Sequence, residues 1–367
     1  MNAPYPGPLA GLRVVEFAGI GPAPFAGQLL RQLGAELIRI DRPATGGHQL
    51  LPIDPKYDFL NRDKTVLEID LKDPAGIARA LDVVAQADVV IEGLRPGVME
   101  RLGLGPADCL ARNPALIYGR VTGWGQTGPL AQHAGHDITY IALTGILNAV
   151  GETGRGPVPP LNLVGDFAGG ALYLVIGLLA AREEVRRTGK GQVIDAAMID
   201  GATHLMSFVH GLRQAGFWSL ERGANQPDGG FPFNTVYECA DGRYLAVAAA
   251  EMKFRMDFLG RIGLGEDVAK AGDKPRNWPA IKDRIGAILA TKPRDEWAAL
   301  LDGPDTCVAP VLDLDEAPGH PHTVARDLYR TQPDGTRVAA VAPRFSHGDP
   351  APAVVDADTL LARWAQA

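Results

Sequence analysis

The stretch RVVEFAGIGPAPFAGQLLRQLGAELIRI, from Arg13 to Ile40, decides the fold class. Arg13–Phe17 reads as a strand and Gly19–Pro24 as a Gly/Pro loop. Phe25–Leu33 has helical character and is stopped by Gly34, and Glu36–Ile40 is a second strand. The alternation continues with a helix over Pro74–Ala87, where Pro74 suits a first helical position, then strands over Asp88–Glu92 and Leu116–Arg120. Strands alternating with helices predict an α/β fold with a mostly parallel, Rossmann-like sheet. Ligands of such sheets gather beyond the carboxyl ends of the strands. That singles out Ala18, Gly19, Asp41, Arg42, Gly93, Arg95 and Gly123. No G-x-G-x-x-G follows the first strand; Pro22 and Pro24 stand where a dinucleotide loop needs N–H donors, which disfavours a nicotinamide site.

Further along, Gly191–Asp195 is a short strand and Ala196–Gly211 a helix. Gly216–Pro232 is rich in Gly, Asn, Pro and Asp and reads as a linker. A hairpin follows, Thr235–Cys239 and Tyr244–Ala250 around Asp241-Gly242, then helices near Phe254–Ile262, Trp278–Thr291 and Arg294–Asp302. The expected organisation is a large α/β domain over 1–225, a small α+β domain over 226–329, and a segment 330–367 returning to the large domain. That segment is Pro/Ala-rich and ends in a helix over Asp358–Ala367.

The 367 residues carry a net charge of −7 without a long basic run, which argues against general nucleic-acid binding. Cys109, Cys239 and Cys307 form no disulfide or zinc spacing, pointing to a reducing, cytoplasmic setting. His320 and His322 flank Pro321 and read as a turn, and no metal site is expected. The N-terminus lacks the basic start and apolar core of a signal peptide. The apolar run Phe167–Ala181 is short for a membrane span and is expected as a buried helix, with Gly169, Gly170 and Gly177 allowing close packing.

Two junctions carry chemistry. Gly135-His136-Asp137 opens an apolar helical pattern, and Gly165-Asp166-Phe167 opens another. Helix starts offer free N–H groups to developing negative charge, so His136 and Asp166 could act as two bases around an oxyanion. The plainer reading makes Asp137 the N-cap of a helix over 138–147 and Asp166 an N-cap as well.

Several stretches resemble the family III CoA-transferase superfamily: GLRVVEFAGIGPAPFAGQLLRQLGAELIRIDRP, VVIEGLRPGVMERLGLG, LIYGRVTGWGQTGP, AGHDITYIALTGIL, PPLNLVGDFAGG, KGQVIDAAMIDG and YECADGRYLAVAAAE. The motif Gly135-His136-Asp137-Ile138-Thr139-Tyr140 makes the chain most similar to the superfamily's racemase branch, which acts on 2-methylacyl-CoA thioesters. The resemblance implies an interlocked homodimer whose sites are shared between chains. His136 and Asp166 would come from one large domain and Glu251 from the partner's small domain. Gly135, Asp137 and Tyr140 would line the substrate, and Arg42 and Arg95 would contact CoA phosphates, with Lys64 and Arg62 as weaker candidates. The branch usually has E-P-Q-F where this chain has Glu251-Met252-Lys253-Phe254. CoA is then part of the substrate, and no cofactor, metal, membrane or nucleic acid is implied.

Inverting a carbon α to a thioester needs proton removal on one face and delivery on the other. Two positioned bases are the minimal device, and backbone N–H groups at His136–Ile138 could hold the enolate oxygen. The alternatives are a CoA-transferase with Asp166 as covalent nucleophile and a non-catalytic acyl-CoA binding protein.

Overall fold

The computed structural model describes residues 5–43, 53–350 and 354–366. Residues 1–4, where the reading of the N-terminus begins, and residue 367, at the end of the expected terminal helix, lie outside them. In chain order the strands are β1 (Arg13–Phe17), β2 (Glu36–Asp41), β3 (Thr65–Glu68), β4 (Val89–Glu92), β5 (Ile117–Thr122), β6 (Gln192–Ala197), β7 (Thr235–Glu238), β8 (Tyr244–Val247), β9 (Val308–Pro310), β10 (Tyr329–Thr331) and β11 (Arg337–Ala339). The helices are α1 (Pro22–Gln32), α2 (Pro74–Val84), α3 (Val98–Arg101), α4 (Pro106–Arg112), α5 (Asp137–Leu143), α6 (Ile146–Ala149), α7 (Tyr173–Thr188), α8 (Met198–Leu205), α9 (Ser207–Gln214), α10 (Met252–Arg261), α11 (Glu266–Ala271), α12 (Trp278–Leu289), α13 (Arg294–Leu300), α14 (Pro321–Ala325) and α15 (Ala357–Trp364).

The chain divides into two compact units. Unit 1 comprises 1–144, 160–206 and 328–367; unit 2 comprises 145–159 and 207–327. Unit 1 is built on a six-stranded sheet in the order β3-β2-β1-β4-β5-β6, with every pair parallel. Strand order reverses between β1 and β4, which makes the crevice beyond their carboxyl ends the topological switch point. One face of the sheet packs against α1 and α7 through Val14, Leu30, Ile91, Leu174 and Leu178. The other packs through Val15, Ile38, Val83, Val84 and Tyr118, and is completed by Leu360 and Trp364 of α15. The Trp364 indole also donates to Glu36 Oε2 at 2.7 Å.

α1 starts at Pro22, three residues before the expected helix. Pro22 and Pro24 sit in its first turn, where their missing N–H groups cost nothing. β3 has no counterpart among the expected strands; four residues with alternate burial are too short for a periodic signal. Residues 163–188 form one continuous helix, apolar and long enough to span a bilayer by length and composition. Its first ten residues, Leu163–Leu172, are wound as a π-helix. The glycines of this helix fit close neighbours: a Cβ at Gly169 would lie 2.8 Å from the Ala202 nitrogen, and one at Gly177 2.8 Å from Ile194 Cγ2.

Unit 2 holds an antiparallel sheet in the order β7-β8-β9. It packs with α10–α13 around Phe231, Phe233, Phe258, Ile285 and Trp297. The unit also takes in 145–159 and 207–225, which the sequence reading assigns to the large domain. The cause is a set of long-range bonds. Arg222 Nη1 donates to the Asn148 carbonyl at 2.9 Å, Arg222 Nη2 donates to the Arg155 carbonyl at 2.7 Å, and the Thr153 hydroxyl donates to the Gly223 carbonyl at 3.2 Å. The expected linker Gly216–Pro232 is a knitted loop. Asp228 accepts from the N–H groups of Gly223, Asn225 and Gly230. The helix expected over Ala196–Gly211 is two helices, α8 and α9, and the division between the units falls at Met206 and Ser207. The tail of unit 1 holds the antiparallel hairpin β10–β11.

Candidate active site

Two buried ion-pair networks frame the switch point. On β1, both Glu16 carboxylate oxygens accept from Lys64 Nζ, at 2.8 and 2.7 Å; the same ammonium donates to the Pro24 carbonyl at 2.9 Å and Asn61 Oδ1 at 3.1 Å. The pair is fully buried. Burial pushes Glu16 up and Lys64 down, and each partner's charge opposes the other's shift. Lys64 therefore braces the start of α1 and has no proton left for a CoA phosphate, which corrects its expected role. Arg62 is likewise engaged, donating to Thr336 Oγ1 at 2.7 Å and Asp334 at 2.9 Å. On the neighbouring strands, Arg120 Nε donates to Glu92 at 2.8 Å and its two terminal nitrogens to Glu100 at 2.7 and 3.2 Å. Glu92 also accepts from the Leu94 N–H at 2.7 Å. This network fixes the β4 loop that carries Arg95.

The loop ending in His136 docks onto that same loop, because Gln132 Nε2 donates to the Pro96 carbonyl at 3.1 Å. α5 then begins one residue earlier than the plainer reading has it. His136, not Asp137, is its N-cap, with an extended backbone. Thr139 sets this register: its hydroxyl accepts from the His136 N–H at 2.9 Å and donates to the His136 carbonyl at 2.7 Å. Among the described residues, the N–H groups of Asp137 and Ile138 have no acceptor. They head α5 beside the exposed His136 side chain.

Asp137, displaced from the cap, does something else. Its Oδ2 accepts from the backbone N–H of Gly165 at 2.6 Å and of Asp166 at 2.8 Å. The residue is 5% exposed, and its Oδ1 is buried without a donor. Asp137 thus fastens the first turn of the π-helix to the start of α5. A Cβ at Gly165 would lie 2.7 Å from the Asp137 carboxylate, so the approach requires glycine there.

Asp166 is held within this widened turn and is not an N-cap. π-turns are rare and concentrate at functional sites. Asn162 Nδ2 donates to Asp166 Oδ2 at 3.2 Å. Gly21, at φ 68°, brings the β1 loop against the carboxylate; a Cβ there would sit 3.4 Å from Oδ2 and strain the backbone. Burial raises the Asp166 carboxyl above the ordinary range; the Asn162 amide lowers it, the Asp137 carboxylate raises it, and His136 lowers it. Tyr140 is buried behind the pair, its ring edge-on to Trp124 at 4.8 Å. Gly135 lies against that ring, where a Cβ would come within 2.6 Å of Tyr140 Cε1. The phenol is pushed up to about 12, chiefly by burial, with Asp166 adding to the shift and Arg95 opposing it.

The structure thus gathers Gly135, His136, Asp137, Tyr140, Asp166 and Arg95 at the switch point. Arg42 stands exposed just beyond β2. Glu251 belongs to unit 2, where it is the exposed N-cap residue of α10. Lys253 pairs with Asp305 at 2.9 Å in place of the branch's usual Gln. Sequence reasoning missed Asn162, Gly21 and the Glu92–Arg120–Glu100 brace. The four-residue spacing of Asn162 and Asp166 on one helix was the available signal for the first. Among the described residues, no group of three or more His, Cys, Asp or Glu could hold a metal.

The doubly wound sheet thus carries two ionisable groups and open helix N–H donors at its switch point. The signature of CoA-transferase family III matches residues 9–356, and the chain belongs to that family. It is 41% identical to the mouse α-methylacyl-CoA racemase over 91% of this chain and 85% of the relative. It is 32% identical to the acetyl-CoA:oxalate CoA-transferase of Acetobacter aceti over 88% of this chain and 85% of that one. A CAIB/BAIF family protein from Brucella suis has a similar crystal structure, with a TM-score of 0.78 and 27% identity over 98% of this chain and 99% of the other.

Proposed function

We propose that this chain is a cofactor-independent racemase that interconverts the C2 epimers of 2-methylacyl-CoA thioesters. The observation that carries the reading is the junction of α5 and the π-helix. A histidine and a carboxyl raised by burial stand there beside two N–H groups without acceptors. In one direction neutral His136 takes the α-proton while protonated Asp166 delivers one to the opposite face; in the other direction the roles reverse. The thioester oxygen gains charge as the C–H bond breaks, and the Asp137 and Ile138 N–H groups hold it. Burial raises the Asp166 carboxyl above its ordinary range, which favours its holding the proton it delivers. Arg42 and Arg95 bind the CoA phosphates.

The decisive test is to incubate a single C2 epimer in deuterated water without a second CoA acceptor. Epimerisation with α-deuterium is expected, and His136→Ala abolishes both while CoA still binds. Unchanged turnover in that variant would remove His136 from the mechanism. A second reading is favoured by one observation: Asp166 is only partly buried and faces the β1 loop, where a transferase would use it as nucleophile. Hydroxylamine trapping or intact-mass detection of acylated Asp166 would replace the racemase with the transferase.

The working form is a homodimer with Glu251 supplied by the partner. Exposed apolar side chains support an interface: Leu143, Leu172 and Ile176 on unit 1, and Phe208 and Phe217 on unit 2. Mixing His136→Ala with Glu251→Ala under subunit exchange restores one good site per heterodimer, about half of wild-type activity if the sites are independent. Persistent inactivity despite proven exchange refutes independent shared sites. The free cysteines, two of them buried, support a reducing cytoplasmic setting.

A further inference from the structure

Unit 1 has a second recess, away from the switch point, flanking the last two turns of α1. It is a half-open cavity of about 150 Å³ lined by Gln28 and Arg31 of α1, by Asp63, and by Arg330 and Ala339 of the β10–β11 hairpin. Arg31 lies about 10 Å along the helix from Pro24, at 1.5 Å per residue. The volume is far too small for the nucleotide of coenzyme A.

Its polar lining is unfinished. Arg31 is 8% exposed, yet among the described residues its guanidinium has no ion pair or hydrogen bond. Asp63 is the one carboxylate whose charge reaches it, and that group is paired instead with Arg62 at 3.6 Å. Arg330 adds a second guanidinium, itself paired with Asp349. Gln28 is 6% exposed, and its Oε1 is buried without a donor. Buried cations and buried amide oxygens without partners are both costly and rare. Arg31 presents its forked cation to this cavity, while Gln28 Oε1 is closed off from it.

We propose that this recess binds a small oxyanion. Its carboxylate or phosphate oxygens take the two-pronged fork of Arg31, the geometry guanidinium groups favour. Inorganic phosphate and a short carboxylate meet the same description, and the experiment separates them.

The purified protein is titrated calorimetrically with sodium phosphate and, separately, with sodium glycolate, against sodium chloride at matched ionic strength. One saturable site per chain is expected for at least one of the two anions. Phosphate alone assigns a phosphate site and glycolate alone a carboxylate site, while binding of both assigns the shared chemistry. Arg31→Met should weaken binding at least tenfold. Ala339→Phe, at an exposed strand position on the rim, should block the opening by a similar factor while leaving Arg31 in place. Circular dichroism checks that each variant folds, and if Arg31→Met does not, Ala339→Phe decides. No saturable binding beyond chloride for either anion overturns the proposal. So does affinity that survives whichever of the two substitutions is folded.

Discussion

Asp137 offers the sharpest test of the site. Replacing it by alanine removes the acceptor for two buried N–H groups, those of Gly165 and Asp166, now held at 2.6 and 2.8 Å. Each orphaned donor costs about 1–3 kcal/mol, so the variant should lose about 2–6 kcal/mol of stability. Because one of those donors is the backbone of Asp166 itself, α-proton exchange should fall far more than the folded fraction does. Asp137→Asn keeps the shape and one acceptor oxygen. It exchanges two charge-assisted bonds for neutral ones of about half the strength, a loss of roughly 2 kcal/mol. It also removes a negative charge that raises the Asp166 carboxyl. The Asp166 pKa then falls, and in the direction where Asp166 is the base the acidic limb of kcat/KM moves to lower pH. Thermal unfolding followed by circular dichroism gives the stability, and deuterium incorporation from pH 4 to 9 gives the profile. A wild-type melting temperature together with a superimposable profile for Asp137→Asn would refute the positioning role.

Three further outcomes follow. Asp166→Asn should be inactive yet more stable than wild type at neutral pH. The folded carboxyl is raised by burial, so wild type loses stability as pH rises through that value. The advantage of the variant should therefore vanish below about pH 4, the ordinary carboxylate range, and a variant no more stable at pH 7 would contradict it. Arg42→Ala and Arg95→Ala should each raise KM for acyl-CoA about tenfold or more, from roughly 1.5–3 kcal/mol per charge-assisted contact, with kcat little changed; a kcat-only loss places them elsewhere. Lys64→Met should destabilise by about 3–5 kcal/mol by leaving Glu16 uncompensated, and adding Glu16→Met should recover most of it. An effect of Lys64→Met on KM alone, at unchanged stability, would return Lys64 to the CoA site.

What the sequence discloses is what local periodicity encodes. β1, α1 and β2 are legible because apolar strands and a glycine-stopped helix alternate within Arg13–Ile40. His136 and Asp166 are legible as ionisable residues at two helix starts. The one-residue shift that makes His136 the cap is not, because it depends on which backbone groups the Thr139 hydroxyl meets. Lys64 misleads for a related reason. Lys64 entered through the resemblance alone, and nothing near it in sequence announces that Glu16, on β1, will accept its hydrogen bonds. The division into units is hidden in the same way, since the bonds from Arg222 to Asn148 and Arg155 span long stretches of chain. Asp137 shows the general point. Its residue type suggested a cap, and its partners are fixed only once a second helix arrives.

The contribution of α15 to unit 1 has a consequence for how the protein is made. Val15, Ile38 and Tyr118 lie in the core cluster that Leu360 and Trp364 complete. On the ribosome those two residues are added only after all of unit 2 has been translated. At about 5–20 residues per second, the sheet waits on the order of 10–30 seconds after β6 emerges, with part of one face uncovered. Unit 2 has its own core and can close during that wait. The interval is the nascent chain's window of exposure to chaperones, and to sticking through the face that α15 will seal.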